Sequence, residues 1–410
     1  MERLNLDKVK LMAAAATLAM FAGTACAQLE VYGDLNKAFL YGYDGQNSAS
    51  VFIDNNYDPS KVGFMVSKHV DKCVTFGGVA ELEMVPNNSR LVSQLENTNV
   101  FTNTVFVRKL DAWMTNAMWG KLSLGLGDAA SWGITDMSFA GTNRTSLGVV
   151  VANTAGGMFF AVDGNKATLT DPTVNRVFNS LNGVGDIDDY TGLFVQKNRV
   201  RYDTADWCGL TASVSYGNVA HRLANFETID DNVLNAEQYT DVAVRYMQDF
   251  CDFKVGAGVA WAYFTRDGLT SEVDPVLLGA TRGEEVWSGS VAAEHKPTGI
   301  NAAFAAGTKR KMVPALSHYS MWYVQLGKQF CLTHYGKTNV AIDYFQGKNS
   351  RVNGDKAKTY SLGVTQDLNK INSAVYAAVR NYKYDDVPGV NYHDVFAATV
   401  GVKINFAACL

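Results

Sequence analysis

The sequence predicts an all-β fold: a transmembrane antiparallel β-barrel of about 16 strands, with a long third loop folded into the lumen. Three observations carry this. Apolar residues recur with period two rather than 3.6. The alternating runs are about ten residues long, enough to cross a bilayer when tilted. The breaks between runs alternate between short and long, the pattern of turns on one side of a membrane and loops on the other.

The chain opens with an export signal. Arg3, Lys8 and Lys10 precede the apolar run LMAAAATLAMFAG, which ends at Ala25-Cys26-Ala27. A charged start, an apolar centre too short to span a bilayer and an A-x-A site form a cleavable leader. Gly23 stands three residues before Cys26, where a lipoprotein favours leucine. Residues 1–27 are therefore expected to be signal peptide, and residues 28–410 the barrel.

Alternation starts immediately afterwards. LEVYGDL sets Leu29, Val31, Gly33 and Leu35 on one face and Glu30, Tyr32 and Asp34 on the other. CGLTASVSYG and QYTDVAVRYM do the same with Leu210, Val214 and Tyr216, and with Val242, Val244 and Tyr246. FKVGAGVAWAY puts Phe253, Val255, Val259, Trp261 and Tyr263 opposite Lys254 and small residues. Strands are expected near 29–43, 60–70, 73–84, 103–114, 118–127, 198–204, 208–217, 238–249, 252–265, 285–296, 300–309, 318–329, 332–346, 356–367, 373–383 and 393–406. A soluble sandwich would alternate likewise with its apolar face inward. Strand length and loop alternation favour the inverse, with the apolar face toward lipid. The 7 prolines all fall in breaks or at strand ends, where no ladder donor is lost. Long polar breaks are expected near 44–59, 86–102, 128–197, 218–237, 266–283, 310–317, 348–355 and 384–391. A barrel this wide keeps an aqueous lumen.

One break is far longer than the rest. Residues 128–197 carry the apolar run GVVVANTAGGMFFAV, a helical pattern DPTVNRVFNSLN with Asp171 as cap and Pro172 at its first position, and an acidic knot, GVGDIDDY. A loop of that length with its own apolar residues needs a surface to pack on, and the inner wall supplies it. The strand that follows alternates Arg199, Arg201 and Asp203 with Val200 and Tyr202. Val200 sets the phase, because an arginine facing mid-bilayer lipid costs about 2–4 kcal/mol. The arginines thus face the lumen beside the loop. Lys61, Arg108, Lys121, Arg245 and Arg380 share that phase. An acidic loop (Asp186, Asp188, Asp189) opposite a basic wall (Arg199, Arg201, Arg108, Lys61) would form a charged constriction, the device that sets selectivity in pores.

Spread along residues 28–406, the segments LEVYGDLNKAF, DPSKVGF, RKLDAWMTNAMWGKLSLGLGD, NRVRYDTADWCGLTASVSYG, KTYSLGVTQDLNKINSAVYAAV and VFAATVGVKINF resemble those of Gram-negative general diffusion porins, the trimeric sixteen-stranded family. Each segment is degenerate; their order and spacing are more specific. The resemblance implies passive diffusion of small hydrophilic solutes and ions, a homotrimer in outer-membrane lipid, and the third loop in the pore. It places Lys61, Arg108, Arg199 and Arg201 at wall-basic positions, and Asp186, Asp188 and Asp189 in the acidic part of the loop. Two features depart from the family pattern. Phe406 is followed by Ala407, Ala408, Cys409 and Leu410, where members close on an aromatic residue. Cysteines Cys73, Cys208, Cys251 and Cys331 stand at short turns. An oxidising compartment permits pairing, but neighbouring turns tend to be too far apart for it.

Other functions find little support. The formal net charge of −4 leaves no basic footprint for nucleic acid. The cysteines have no zinc spacing, DIDD lacks a full calcium loop, and no nucleophile or metal motif accompanies the six histidines, so neither an enzyme nor a cofactor is expected. GLGDAA matches a loose dinucleotide pattern with no helical pattern after it. Trp119, Tyr216, Tyr246, Trp261 and Tyr263 read as interfacial girdles. The alternatives kept open are a surface adhesin or structural barrel with a plugged lumen, and a substrate-specific channel. The last would need an aromatic track inside, whereas most aromatics take the outward phase.

Overall fold

The computed structural model describes residues 28–94, 105–146, 151, 154–162, 177, 196–218, 237–266, 283–311, 318–350, 353–385 and 391–409. Its strands are β1 (Gln28–Tyr43), β2 (Ser48–Asp54), β3 (Lys61–His69), β4 (Val74–Met84), β5 (Val105–Asn116), β6 (Gly120–Gly127), β7 (Lys197–Asp203), β8 (Leu210–Asn218) and β9 (Glu237–Asp249). They continue with β10 (Phe253–Arg266), β11 (Gly283–His295), β12 (Ile300–Lys311), β13 (Tyr319–Thr333), β14 (Gly336–Lys348), β15 (Lys356–Leu368), β16 (Ser373–Asp385) and β17 (Val395–Cys409).

All are antiparallel neighbours in one sheet that closes on itself, with β1 paired to β17 from Glu30↔Cys409 to Tyr43↔Phe396. The other edge of β1 is shared. β2 covers Lys37–Tyr43 and β3 covers Gln28–Asp34. The two therefore occupy one position, interrupted by residues 55–60, and 17 segments make a 16-strand barrel. This corrects the expectation that 44–59 is wholly a loop. Closure leaves no open edge in the bilayer, where an unpaired backbone group has no water to turn to.

The pattern of exposure is the reverse of a soluble protein's. Leu35, Phe39, Leu124, Val214, Val242, Phe304, Leu326, Ile342, Leu362 and Val400 are exposed, while Asn36, Asp241, Gln325, Asp343, Thr365 and Arg380 are buried on the concave face. On β7, Val200 is 47% exposed and Arg199 6%, as the phase argument required. Tight turns join the strands at one end. In the turn before β12, Gly299 has φ +66°, and a Cβ there would lie 2.0 Å from the carbonyl oxygen of Gln329, so only glycine fits.

β2 is the exception to the polarity rule. Ala49, Val51 and Ile53 point inward and join a buried cluster with Val151, Met158 and Phe160 of the third loop and Tyr239, Tyr319, Tyr323, Tyr382 and Tyr384 of the wall. Exposed aromatics outnumber buried ones among the described residues, as the outward phase implied, but these tyrosines face inward. The loop covers them.

Candidate functional site

The connection from β6 to β7 starts at Asp128, and its described residues follow the concave wall. Asp128 is the hub of the first anchor. Its carboxylate receives Lys109 Nζ at 2.6 Å and Gln196 Nε2 at 3.1 Å. Its carbonyl accepts from Arg199 Nε at 2.9 Å and from Arg201 at 3.2 Å. Arg201 also donates to the carbonyl of Ala129 at 2.6 Å, and Arg245 to those of Ala130 and Trp132 at 2.8 and 2.6 Å. Ser131 donates to Asp241, and the Ala130 amide to Ser215 Oγ at 3.0 Å. The lumen arginines thus grip the backbone of the entering loop. GLGD makes room for this: a Cβ on Gly127 would lie 2.5 Å from a terminal nitrogen of Arg199. Burial alone would raise the pKa of Asp128. The ammonium of Lys109, the guanidinium of Arg108 and the hydrogen bonds from Lys109 and Gln196 hold it below the ordinary carboxylate value.

The loop then crosses a patch of small wall residues. Gly256 and Gly258 leave space for Phe139, Ile134 and Met137. Lys254 caps the Phe139 ring at 4.8 Å. A second anchor lies on β13–β16. Arg380 makes a bidentate pair with Asp343, at 2.9 and 2.7 Å, and donates to Ser361 at 2.9 Å. Ser146 of the loop donates to the same Asp343 and receives Gln325 at 2.8 Å. Further on, Tyr382 donates to the carbonyl of Val151 at 3.0 Å, and the His393 amide to that of Ala161 at 2.8 Å.

The four basic wall residues named from sequence all face the lumen, each paired with carboxylates. Arg199 makes two bonds to Asp111, at 2.8 and 2.9 Å. Arg201 pairs with Asp203 at 2.7 Å. Arg108 pairs with Glu81, and with Glu83 at 3.2 Å. Lys61 bridges Asp34 and Asp58 at 2.9 Å each, and Lys403 closes this set by contacting both carboxylates. Arg108, Arg199 and Arg201 gather around Asp128, while Lys61 belongs to the separate cluster on β1, β3 and β17. Several carboxylates that complete the site were not identified as site residues from the sequence: Asp111, Asp128, Asp34 and Asp58. The D in GLGD, at the end of an alternating run, was the available signal. Asp186, Asp188 and Asp189 lie outside the described residues, as does the expected helix over 171–182 apart from Val177, which is helical and buried.

Exposure separates two kinds of charge. Arg380 and Arg199 are sealed, with side chains 1% and 4% exposed. Arg108, Lys61, Arg201, Lys109, Asp128, Asp58 and Asp203 keep 16–23%. The partly solvated strip lies on β3–β7 and on the residues bordering these strands, and carries both signs. Cys73, Cys208, Cys251, Cys331 and Cys409 are unpaired and exposed, so the pairing considered from sequence is absent among the described residues. No metal-binding group of His, Cys, Asp or Glu occurs among them either.

A barrel apolar outside and charged inside, with a loop strapped to its inner wall, invites comparison with known channels. The model of the Gram-negative porin family matches residues 13–387. The chain belongs to that family. This porin is an outer-membrane channel protein. Among solved structures it is similar to an anion-selective porin from Comamonas acidovorans, at 14% identity and TM-score 0.59, covering 93% of this chain and all of that one (100%). It is similar also to OmpF of Salmonella typhi, solved with daunomycin, at 15% identity and TM-score 0.55, covering 92% and 97%. A third is OmpT, an outer-membrane protein of Vibrio cholerae, at 11% and 0.55, covering 93% and 98%. At these identities the likeness carries the fold alone. No curated protein sequence matches this porin.

Proposed function

We propose that this porin is a general diffusion channel for small hydrophilic solutes and ions, with its water path along the solvated strip on β3–β7. The observation that carries the reading is that strip: charges of both signs, partly exposed, on the inside of a closed barrel, beside a loop that is anchored at its edge and continues along β9–β16. Opposed charges hold ordered water and set up a transverse field. A polar solute exchanges its hydration for contacts there, whereas an apolar one must displace the water without replacing its hydrogen bonds. No chemistry is needed: solutes move down their gradients and the third loop sets the size limit. Arg201, Arg108 and Lys61 would supply the basic side of the constriction. Arg199, sealed against Asp111, would act by holding the loop. Asp186, Asp188 and Asp189 are proposed as its acidic side. A homotrimer and removal of residues 1–27 on export belong to the same reading.

Liposome swelling tests it. Proteoliposomes should swell in neutral sugars at rates that fall smoothly with solute size. Rapid swelling with one sugar and none with its isomers would favour a substrate-specific channel instead.

A further inference from the structure

Four lysines stand together on the outer face of β14, β15 and β16: Lys348, Lys356, Lys358 and Lys383. Their direction follows from alternation, since Ala357, Thr359, Tyr382 and Tyr384 between them are buried on the concave side. The register sets Lys348 directly opposite Lys356, and Lys358 directly opposite Lys383. Opposed residues have Cβ atoms about 5 Å apart, and same-face neighbours along a strand lie about 7 Å apart. Two like-charged cross-strand pairs so arranged repel each other and weaken a sheet unless an anion lies between them.

Nearby acids offset this in part. Lys383 pairs with Asp394 at 3.0 Å, and Asp385 lies across from Lys356. Among the described residues, no ion pair joins Lys348, Lys356 or Lys358 to a carboxylate, so the patch keeps a positive excess.

Its depth is informative. Residues 349–355 join β14 to β15 at the end of the barrel that carries the long loops, the outer-leaflet side. One step toward the bilayer centre, Tyr344 lies opposite Tyr360, whose hydroxyl accepts from Asn381 at 2.9 Å. Trp322 packs on Tyr344 with ring centroids 4.9 Å apart. Such aromatics mark the membrane interface. Below them the outward residues are Ile342, Leu362 and Val379, all exposed. The lysines therefore sit at headgroup level, above an apolar wall suited to acyl chains.

We propose that this patch seats the phosphate groups of a phosphorylated glycolipid of the outer leaflet, with its acyl chains against Ile342, Leu362 and Val379. The inference is independent of what passes through the lumen. Each lysine near a charged lipid surface is worth about fivefold in affinity.

The test is native mass spectrometry of the detergent-solubilised barrel titrated with bisphosphorylated lipid A, comparing the native chain with the triple variant K348Q/K356Q/K358Q. The native barrel should retain the lipid, and the variant should bind at least tenfold more weakly with unchanged conductance and gel mobility. Inorganic phosphate at equal concentration should fail to displace the lipid, and raising the salt should weaken binding to the native chain. Equal binding by the variant, displacement by inorganic phosphate alone, or binding indifferent to salt would overturn the proposal. The salt series needs only the native chain, so it stands even if the variant folds poorly.

Discussion

Replacing Arg199 with glutamine removes one partner of a buried ion pair and one strap of the third loop together. Arg199 donates twice to Asp111, whose side chain is 8% exposed, and once to the carbonyl of Asp128. Stranding a buried carboxylate in this way costs about 3–5 kcal/mol, whereas replacing both partners with neutral groups is close to neutral. The lost bond to the loop carbonyl adds about 1–2 kcal/mol in either case. R199Q should therefore be destabilised by at least about 3 kcal/mol, and D111N/R199Q should recover more than half of that. The assay is the temperature at which the barrel loses its compact mobility on a semi-native gel, taken through the full double-mutant cycle. A single variant as stable as the native chain, or a double variant no better than R199Q, would refute the argument that Arg199 works through Asp111.

Other outcomes follow from the same geometry. Arg201 is partly solvated, so R201Q should leave the excess charge of Asp203 in the water path and shift the reversal potential in a salt gradient toward cations; an unchanged potential would remove Arg201 from that path. Gly258→Leu should lift Ile134 and Met137 off the wall and lower single-channel conductance with the melting temperature little changed. Acid should loosen the first anchor: the folded-state pKa of Asp128 is lowered, so its contribution is complete above the unfolded value of about 3.9 and is lost as pH falls further. Current noise should rise below about pH 4 in the native channel but not change with pH in D128N. Finally, all five exposed thiols should react with a maleimide in the folded barrel, and a reductant should leave its melting temperature unchanged.

Much of the fold was legible because lipid outside and water inside impose opposite demands on alternate residues. Val200 and Tyr202 against Arg199 and Arg201 show this in four positions. β2 escaped because its polarity is inverted. SASVFID puts serines outward and Ala49, Val51 and Ile53 inward, where the apolar part of the third loop covers them. A strand whose inner neighbour is protein rather than water obeys a different rule, and sequence does not announce that neighbour. The inward tyrosines were hidden for the same reason. In the site, the arginines were readable from strand phase, but their partners were not. Asp111 comes 88 positions before Arg199, and only the pairing of β5 with β6 and β6 with β7 brings them together.

Single-channel recording of the barrel in a planar bilayer under a salt gradient addresses the central claim most directly. The account predicts steps that open in threes, rise linearly with salt and show weak ion selectivity, because the solvated strip carries both signs of charge. A silent bilayer from protein with the heat-modifiable mobility of a folded barrel would contradict it, and would mean that the third loop closes the lumen.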